Sequence, residues 1–249
     1  MTSCRFDRIH VKLGCLATFL IAYTETVYCF FDVQNPPHHF FNAHLLPEGQ
    51  SQIAVSGSLK YAVSDRWELG TQAWGYIFQP PVFNLAIKHR MFTTERTLSS
   101  FNSHTFLLRT KNERNLVSMH GIVTTIAYGD SHGMSLGLMD GLLMSFSKDT
   151  HSSLHLVTPV FAWDTILHRR WAITLVIARP VYAFGQFESS ESGEGSLQID
   201  FTKQIKPAFG MLTTTLAWES FHLEFGIFSL SVERPLVTPY LNLFWRIGA

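Results

Sequence analysis

Histidine, serine and carboxylate side chains are the residues of this chain that could do chemistry. The chain has twelve histidines, and two pairs invite a metal-binding interpretation. His38 and His39 are adjacent, so their side chains diverge and cannot form a two-ligand clamp. His151 and His155 lie in a segment that alternates like a β-strand, which separates them by about 13 Å. The sequence therefore predicts no metal site.

The stretch GDSHG (129–133) places Ser131 between Asp130 and His132, which resembles the residue content of an esterase site. A catalytic triad, however, needs a base within hydrogen-bond distance of the nucleophile and a third group that orients the base. Sequence neighbours do not satisfy this geometry, so we expect a turn between strands. The chain also lacks a phosphate-binding glycine loop and a zinc-binding Cys/His cluster. We therefore predict no cofactor and no enzymatic activity, with a barrel-type lipid hydrolase as the enzyme alternative.

The remaining polar side chains recur on one face of short alternating segments. In VFNLAIKHRMF (82–92), Phe83, Leu85 and Ile87 share one face, and Asn84 and Lys88 share the other. A helix would distribute these residues around its circumference, whereas a strand sorts them onto two faces. Equivalent sorting occurs in WELGTQAW, HLVTPVFAW, RWAITLVI, FHLEFGIF and PYLNLFWRI. The polar faces carry Lys60, Glu68, Asn84, Lys88, Arg90, Arg170, Glu224, Asn242 and Arg246.

The number of such segments predicts one all-β domain. Eleven strand-like segments are visible after Gln50, and the longest, 197–217, divides into two at its central lysines and proline. Bacterial single-chain barrels carry an even number of strands, and each needs about 9–11 residues to cross a bilayer. We therefore predict a single antiparallel up-and-down barrel over 51–249 with about twelve strands, and ten as the alternative. The acidic stretch 185–196 is expected to be a solvent-exposed loop.

The beginning of the chain has the pattern of an export signal. A basic start is followed by the apolar run LGCLATFLIAY (13–23), and all three cysteines lie within the first 29 residues. We predict a signal peptide over 1–29 and an irregular lead-in over 30–50. An uncleaved anchor or a buried strand is the alternative for the first 29 residues. The formal net charge is zero, so no basic field indicates a nucleic-acid partner.

Two features favour lipid rather than a protein core as the environment of the apolar faces. The opposite faces carry charges of both signs, which can pair and hydrate in a barrel lumen. Aromatic residues also recur near the ends of the alternating runs, as with Tyr61 and Trp67 around the SDR turn, Trp163 and Trp171, and Trp245. Aromatic rings at strand ends are typical of a membrane-interface girdle.

Several short motifs then carry a family resemblance. An apolar leader, the motif LPEG (46–49), the hairpin LKYAVSDRWELGT (59–71) and FNLAIKHRMF (83–92) together resemble the opening of uncharacterised Gram-negative outer-membrane β-barrel proteins of porin-like type. The ending TPYLNLFWRIGA (238–249) resembles their final strand, although four residues follow its terminal aromatic, Trp245. The resemblance implies location in the cell outer membrane, contact with membrane lipids and insertion by the barrel assembly machinery.

The function expected from these features is passive passage of small solutes. The nine polar-face residues, from Lys60 to Arg246, would line a narrow lumen that selects by size more than by sign, because the charges of the mature chain as a whole nearly cancel. The same charges could instead pair across the interior and close it. A closed barrel with a structural or surface-binding role is therefore the alternative.

Overall fold

The computed structural model describes residues 39–73, 82–109, 114–147, 150–189, 193–200, 208–218, 220–231 and 235–248. The predicted signal peptide and the first part of the lead-in lie outside these residues. The described chain is almost entirely β-strand. Its strands are β1 Ser51–Ala54, β2 Ser58–Ser64, β3 Trp67–Gln72, β4 Phe83–Thr93, β5 Thr97–Arg109, β6 Arg114–Tyr128, β7 His132–Phe146, β8 Thr150–His168, β9 Trp171–Ala178, β10 Tyr182–Ser189, β11 Gly193–Asp200, β12 Ala208–Trp218, β13 Phe221–Ser231 and β14 Pro235–Ile247.

Twelve of these strands form a closed antiparallel barrel, which confirms the predicted fold class. Strands β1 to β9 pair consecutively, β9 pairs with β12, and β12 to β14 continue the sheet. The last strand then pairs with the first in the register Ser51↔Ile247 to Ala54↔Phe244. Closure leaves the barrel without an unpaired edge, because each of its strands has a partner on both sides.

The division into strands differs from the prediction at two places. The segment 51–63 is not one strand, because Val55–Gly57 form a turn between β1 and β2, and Gly57 has a φ of 87° that favours glycine. The acidic stretch 185–196, predicted as a loop, instead belongs largely to the hairpin of β10 and β11. Backbone pairing with β8 holds this hairpin, so its formation did not require an alternating apolar pattern.

The β10–β11 hairpin extends the wall beyond the closed barrel. Strand β8 is 19 residues long. It pairs with β9 from His168 back to Val160 and with β10 from Val157 back to Thr150. The change of partner occurs around Arg179–Val181, where Pro180 has no backbone N–H to contribute to the ladder. Two backbone hydrogen bonds to β8 span this change of partner: the N–H of Arg179 donates to the carbonyl oxygen of Pro159 at 3.3 Å, and that of Val181 donates to the carbonyl oxygen of Val157 at 2.9 Å.

The two ends of the barrel differ in the length of their connections. At one end, which we call the turn end, β2–β3, β4–β5, β6–β7, β8–β9 and β12–β13 are joined by two or three residues, and β1 begins and β14 ends there. The opposite end, which we call the loop end, carries the longest connection, the ten residues between β3 and β4, and also the β10–β11 hairpin. An even number of strands places the start of β1 and the end of β14 at the same end.

The faces of the wall are apolar outside and largely polar inside. Outward positions include Leu85, Phe225, Ile177 and Leu138, which are 37–57% exposed. Inward positions on the same strands alternate with them and are buried, as with Asn84, Thr174 and Ser135. This distribution is the reverse of a water-soluble barrel, whose apolar side chains face the interior.

Aromatic side chains collect around the outside of the turn end. Trp67 and Trp171 begin their strands there, Trp218 ends its strand there, and each is 44% exposed. Phe221 joins this group across the β12–β13 turn, with its ring centroid 5.9 Å from that of Trp218 and 5.4 Å from that of Trp245. Of the aromatics that the sequence predicted near strand ends, Trp67, Trp171 and Trp245 belong to this group, whereas Trp163 lies five residues before the end of β8. No helix among the described residues is long and apolar enough to cross a membrane.

Candidate binding site in the barrel lumen

Residues 39–50, which we call the inner segment, run into the barrel: residues 39–46 lie in its lumen, and residues 47–49 are exposed at the turn end. The backbone N–H of Leu46 donates to Glu68 Oε2 on β3 at 2.9 Å, and that of Ala43 donates to Thr125 Oγ1 on β6 at 2.8 Å. On another side, the ring of Phe41 lies 5.7 Å from that of Phe209 on β12. A segment that contacts strands so far apart around the ring must run through the lumen. Its residues 42, 43 and 46 are fully buried.

Lys88 is the main polar anchor of the inner segment. Its ammonium donates to the carbonyl oxygens of His39, Asn42 and His44 at 3.1, 3.0 and 2.9 Å. Three acceptors use the three donor hydrogens that an ammonium group has. The side chain is 5% exposed, so these carbonyl contacts compensate for its removal from water.

Asp164 on β8 provides a second anchor on the opposite wall. Its carboxylate lies 3.2 Å from Nε2 of His39, and it accepts a hydrogen bond from Thr174 Oγ1 at 2.6 Å. Asn102 on β5 adds a third contact, because its Nδ2 donates to the carbonyl oxygen of Phe40 at 2.6 Å. The inner segment is thus held from several strands by polar side chains that point inward.

A polar cavity of about 270 Å³ lies between the inner segment and the loop end. It reaches the loop end at Ser56 and Gln72 and is bounded on the inner side by His39, Phe40 and Phe41. Its walls come from β1 to β5 and β12 to β14. We call this space the polar cavity; its charged and amide-bearing wall residues are Gln52, Lys60, Glu68, Gln72, Lys88, Glu224 and Asn242.

The acidic groups of the polar cavity already have hydrogen-bond donors. Glu224 accepts from Thr213 Oγ1 and from the hydroxyl of Tyr240, both at 3.1 Å, and Glu68 accepts from the inner segment. In contrast, Lys60 has no ion pair within the described part of the chain, and Nε2 of His104 is buried without a hydrogen-bond partner there. The amide oxygen Oε1 of Gln52, which also lines the cavity, is likewise buried without a hydrogen-bond partner in the described part of the chain. The cavity therefore offers a solute the Lys60 ammonium beside polar atoms that have no partner among the described residues.

Most of the nine residues predicted for the lumen point into it. Lys60, Glu68, Lys88, Glu224 and Asn242 come together around the polar cavity. The other inward ones lie apart from it. Asn84 bonds to Gln72 on β3 with its Nδ2 donating at 3.0 Å, Arg90 lines a smaller cavity of about 130 Å³ at the turn end, and Arg246 is fully buried beside Phe244.

Arg170 requires a correction. It was predicted to line the lumen, but it lies in the two-residue β8–β9 turn and is exposed at the turn end. The reason is the boundary of the strand, because β9 begins one residue later, at Trp171, where the alternation becomes continuous.

A second cluster of titratable side chains lies on the outer face. His120 and Asp140 are directly opposite each other on β6 and β7, and the carboxylate Oδ2 of Asp140 is 3.5 Å from His120 Nε2 and 2.9 Å from His155 Nδ1. Their neighbours two residues away, Ile122 and Leu138, are exposed. A carboxylate bound to an imidazole can orient a general base. Among the described residues, no serine hydroxyl is hydrogen-bonded to either ring.

The stretch GDSHG forms a turn, as its composition predicted. Gly129, Asp130 and Ser131 connect β6 to β7, and Gly129 has a φ of 64°. The ring of His132 lies 3.3 Å from Thr165 Oγ1 on β8 rather than against Ser131. In the described part of the chain, no group of three or more histidine, cysteine or acidic residues is arranged to hold a metal ion.

Sequence reasoning missed the residues that the inner segment contributes. His39, Phe40 and Phe41 lie in a stretch without a steady period, and nothing in their spacing indicates a position inside a barrel. The signals that were available are indirect. The segment is rich in apolar residues for an exposed lead-in, and it ends at the Pro47–Gly49 turn, after which β1 starts at the turn end.

Comparison with known proteins does not assign the chain to a family. No protein-family model matches the chain, and no curated protein matches it significantly.

Proposed function

We propose that this protein is an outer-membrane β-barrel that takes up a small solute at its loop end. The exported leader predicted from the sequence supports this location. The apolar outer face and the ring of tryptophans at the turn end support it as well, because both are features of a barrel in contact with lipid. The environment inside the barrel is polar, as a lumen for a hydrated solute requires.

The observation that carries the proposal is the order of spaces along the lumen. The polar cavity reaches the loop end, and the inner segment lies between this cavity and the turn end. A solute that enters from the loop end therefore meets the Lys60 ammonium and the His104 ring before it meets a barrier. In this proposal the barrel binds its solute first, and passage toward the turn end follows only when the inner segment moves.

The function expected from the sequence is passive passage of small solutes. In the present proposal, the inner segment controls this passage. Residues 39–46 of the segment are held by wall side chains that bond to the segment's backbone and by ring contacts, whereas residues 49 and 50 bond to the backbone of Ala62 on β2. Release of residues 39–46 would leave every hydrogen-bond ladder of the barrel in place. A barrel whose segment never leaves would be the closed, surface-binding alternative.

A reversible lock tests this proposal. Ala43→Cys and Thr125→Cys replace two residues that are already in contact, since the N–H of Ala43 lies 2.8 Å from Thr125 Oγ1. All native cysteines lie in the predicted leader, so the processed chain would have no competing thiol. We expect discrete conductance steps in planar bilayers after reduction and a silent bilayer after oxidation, with either single-cysteine variant insensitive to redox treatment.

Two other results are informative. Equal conductance of the oxidised and reduced protein would show that passage does not depend on release of the inner segment. Silence in both states, with folded and heat-modifiable protein, would leave the closed binding role. Recovery of the mature chain in the soluble periplasmic fraction without detergent would contradict the proposed location itself.

A further inference from the structure

A second interior space differs in character from the rest of the lumen. It has a volume of about 300 Å³, and apart from Thr158 its lining is apolar. We call it the apolar cavity; it is lined by Phe41, Met119, Met139, Thr158, Val160, Ala178, Pro180, Ala208, Phe209 and Leu230. It lies on the loop-end side of the inner segment, inside β6 to β9, β12 and β13.

Such a cavity is unusual inside a polar lumen. A water molecule needs two to four polar partners, and a cavity lined by apolar side chains stays dry or takes up an apolar guest. A cavity of about 150 Å³ holds benzene, so this one has room for a longer chain. Met119 and Met139 contribute flexible, polarisable side chains that adapt to the shape of such a guest.

The apolar cavity and the polar cavity share a wall. The ring of Phe41 lines both of them, and Met211 lines the polar cavity while packing against the buried cluster around Val160. The polar cavity presents the amine of Lys60, which has no ion pair among the described residues. The cavity that contains the Lys60 ammonium and the apolar cavity are therefore adjacent across one phenylalanine ring.

The apolar cavity lies where the ladder between β9 and β12 ends, at the pair Ala178↔Phe209. Both residues of this pair line the cavity, as do Pro180 and Ala208 next to them.

We infer that the solute of this barrel is a single-chain amphiphile with an anionic head, whose head group binds at Lys60 in the polar cavity and whose alkyl chain occupies the apolar cavity. The inference rests on the proposed function and specifies its solute. A carboxylate head would meet the Lys60 ammonium and the free Nε2 of His104, while the Glu68 and Glu224 carboxylates keep their existing donors. The tail would bury methylene groups against Phe41, Met139 and Phe209.

The test measures how affinity depends on chain length. The full mature protein in lipid nanodiscs is titrated with acetate, butyrate, octanoate and dodecanoate, and the signal from empty nanodiscs is subtracted. Each methylene buried in the apolar cavity should tighten binding about threefold to fourfold. We expect this gain to stop once the tail fills the cavity.

Two variants separate the head from the tail. Ala208→Phe places a ring at the rim of the apolar cavity and should remove the dependence on chain length while acetate still binds. Lys60→Met should weaken every member of the series by a similar factor. Val237→Phe is the matched control, because it adds the same ring to an exposed outward position at the loop end, and it should bind like the native protein.

Specific results would overturn the inference. If acetate and dodecanoate bind equally, the solute is polar only, and the conductance test of the proposed function is unaffected. If no carboxylate binds, the head-group site is wrong. If chain-length dependence appears only after residues 30–38 are deleted, the occupant of the apolar cavity is the chain itself.

Discussion

The ammonium of Lys88 lies 2.9 Å from the carbonyl oxygen of His44, which precedes it by 44 residues. The same ammonium also binds the carbonyl oxygens of His39 and Asn42, so one side chain of β4 holds six residues of the inner segment. The interior of the barrel is therefore organised around this segment as well as around the wall strands.

Lys88→Met should weaken the docking of the inner segment while the barrel remains folded. The substitution keeps the length of the side chain but removes three charge-assisted hydrogen bonds, and we expect a loss of about 2–4 kcal/mol in docking free energy. Limited proteolysis and hydrogen exchange of residues 39–46 would measure it. Lys60→Met is the control, because Lys60 makes no hydrogen bond to the segment, and equal protease sensitivity of the two variants would contradict the anchoring role.

Acid should release the inner segment, and His44 provides the reason. Burial, with the nearby charges of Lys88 and His39, lowers the pKa of His44 from 6.5 to about 4, although Asp164 acts in the opposite direction. A released His44 binds a proton below pH 6.5, and the docked one does not until about pH 4. Docking is therefore fully favoured above pH 6.5 and weakens as the pH falls toward 4, by about 1–2 kcal/mol at pH 5.

Proteolysis of residues 39–46 as a function of pH measures this effect, provided that the protease is active over the range. His44→Gln cannot take up the proton, so it should remove most of the pH dependence between 6.5 and 4. An unchanged pH profile in this variant would assign the effect to another group.

Leu175→Arg should destabilise the barrel only in lipid. Leu175 lies on the outward face of β9 with Ile173 and Ile177, and an arginine near the bilayer midplane costs about 2–4 kcal/mol in an outer-membrane barrel. Folding titrations in phospholipid vesicles give the free energy of unfolding. Asp65→Arg, which adds the same side chain to an exposed turn, should be close to neutral. A neutral Leu175→Arg would indicate that water surrounds the outer face.

Gly226→Ala should destabilise the barrel, whereas Gly210→Ala should have little effect. A Cβ on Gly226 would lie 2.0 Å from the backbone oxygen of Leu212 on β12, and this atom cannot move without shifting the sheet. A Cβ on Gly210, on that neighbouring strand, would meet its nearest atom at 4.0 Å. We expect a cost of about 1–3 kcal/mol or more for the first substitution. Thermal or denaturant unfolding of the two variants gives the comparison directly.

The sequence by itself determined the barrel and the faces of its wall. Alternation in segments such as Phe83–Thr93 is a local property, because successive side chains of any strand point to opposite sides. Because the charged and amide side chains of these segments share one face of each strand, that face is expected to point into the lumen in every strand. The total of twelve strands could be predicted from the chain length after Gln50, although the predicted boundaries differ from the observed strands at the two places described above.

Only the tertiary structure decided what lies inside the barrel. The inner segment has no periodic pattern, and each of its anchors comes from a distant part of the chain, as with His39 and Asp164, which are 125 residues apart. The shared wall of the two cavities likewise requires Phe41 to lie between strands from both halves of the barrel. Closing the sheet brings these groups together, and the spacing of residues along a strand carries no information about which side chains meet across its lumen.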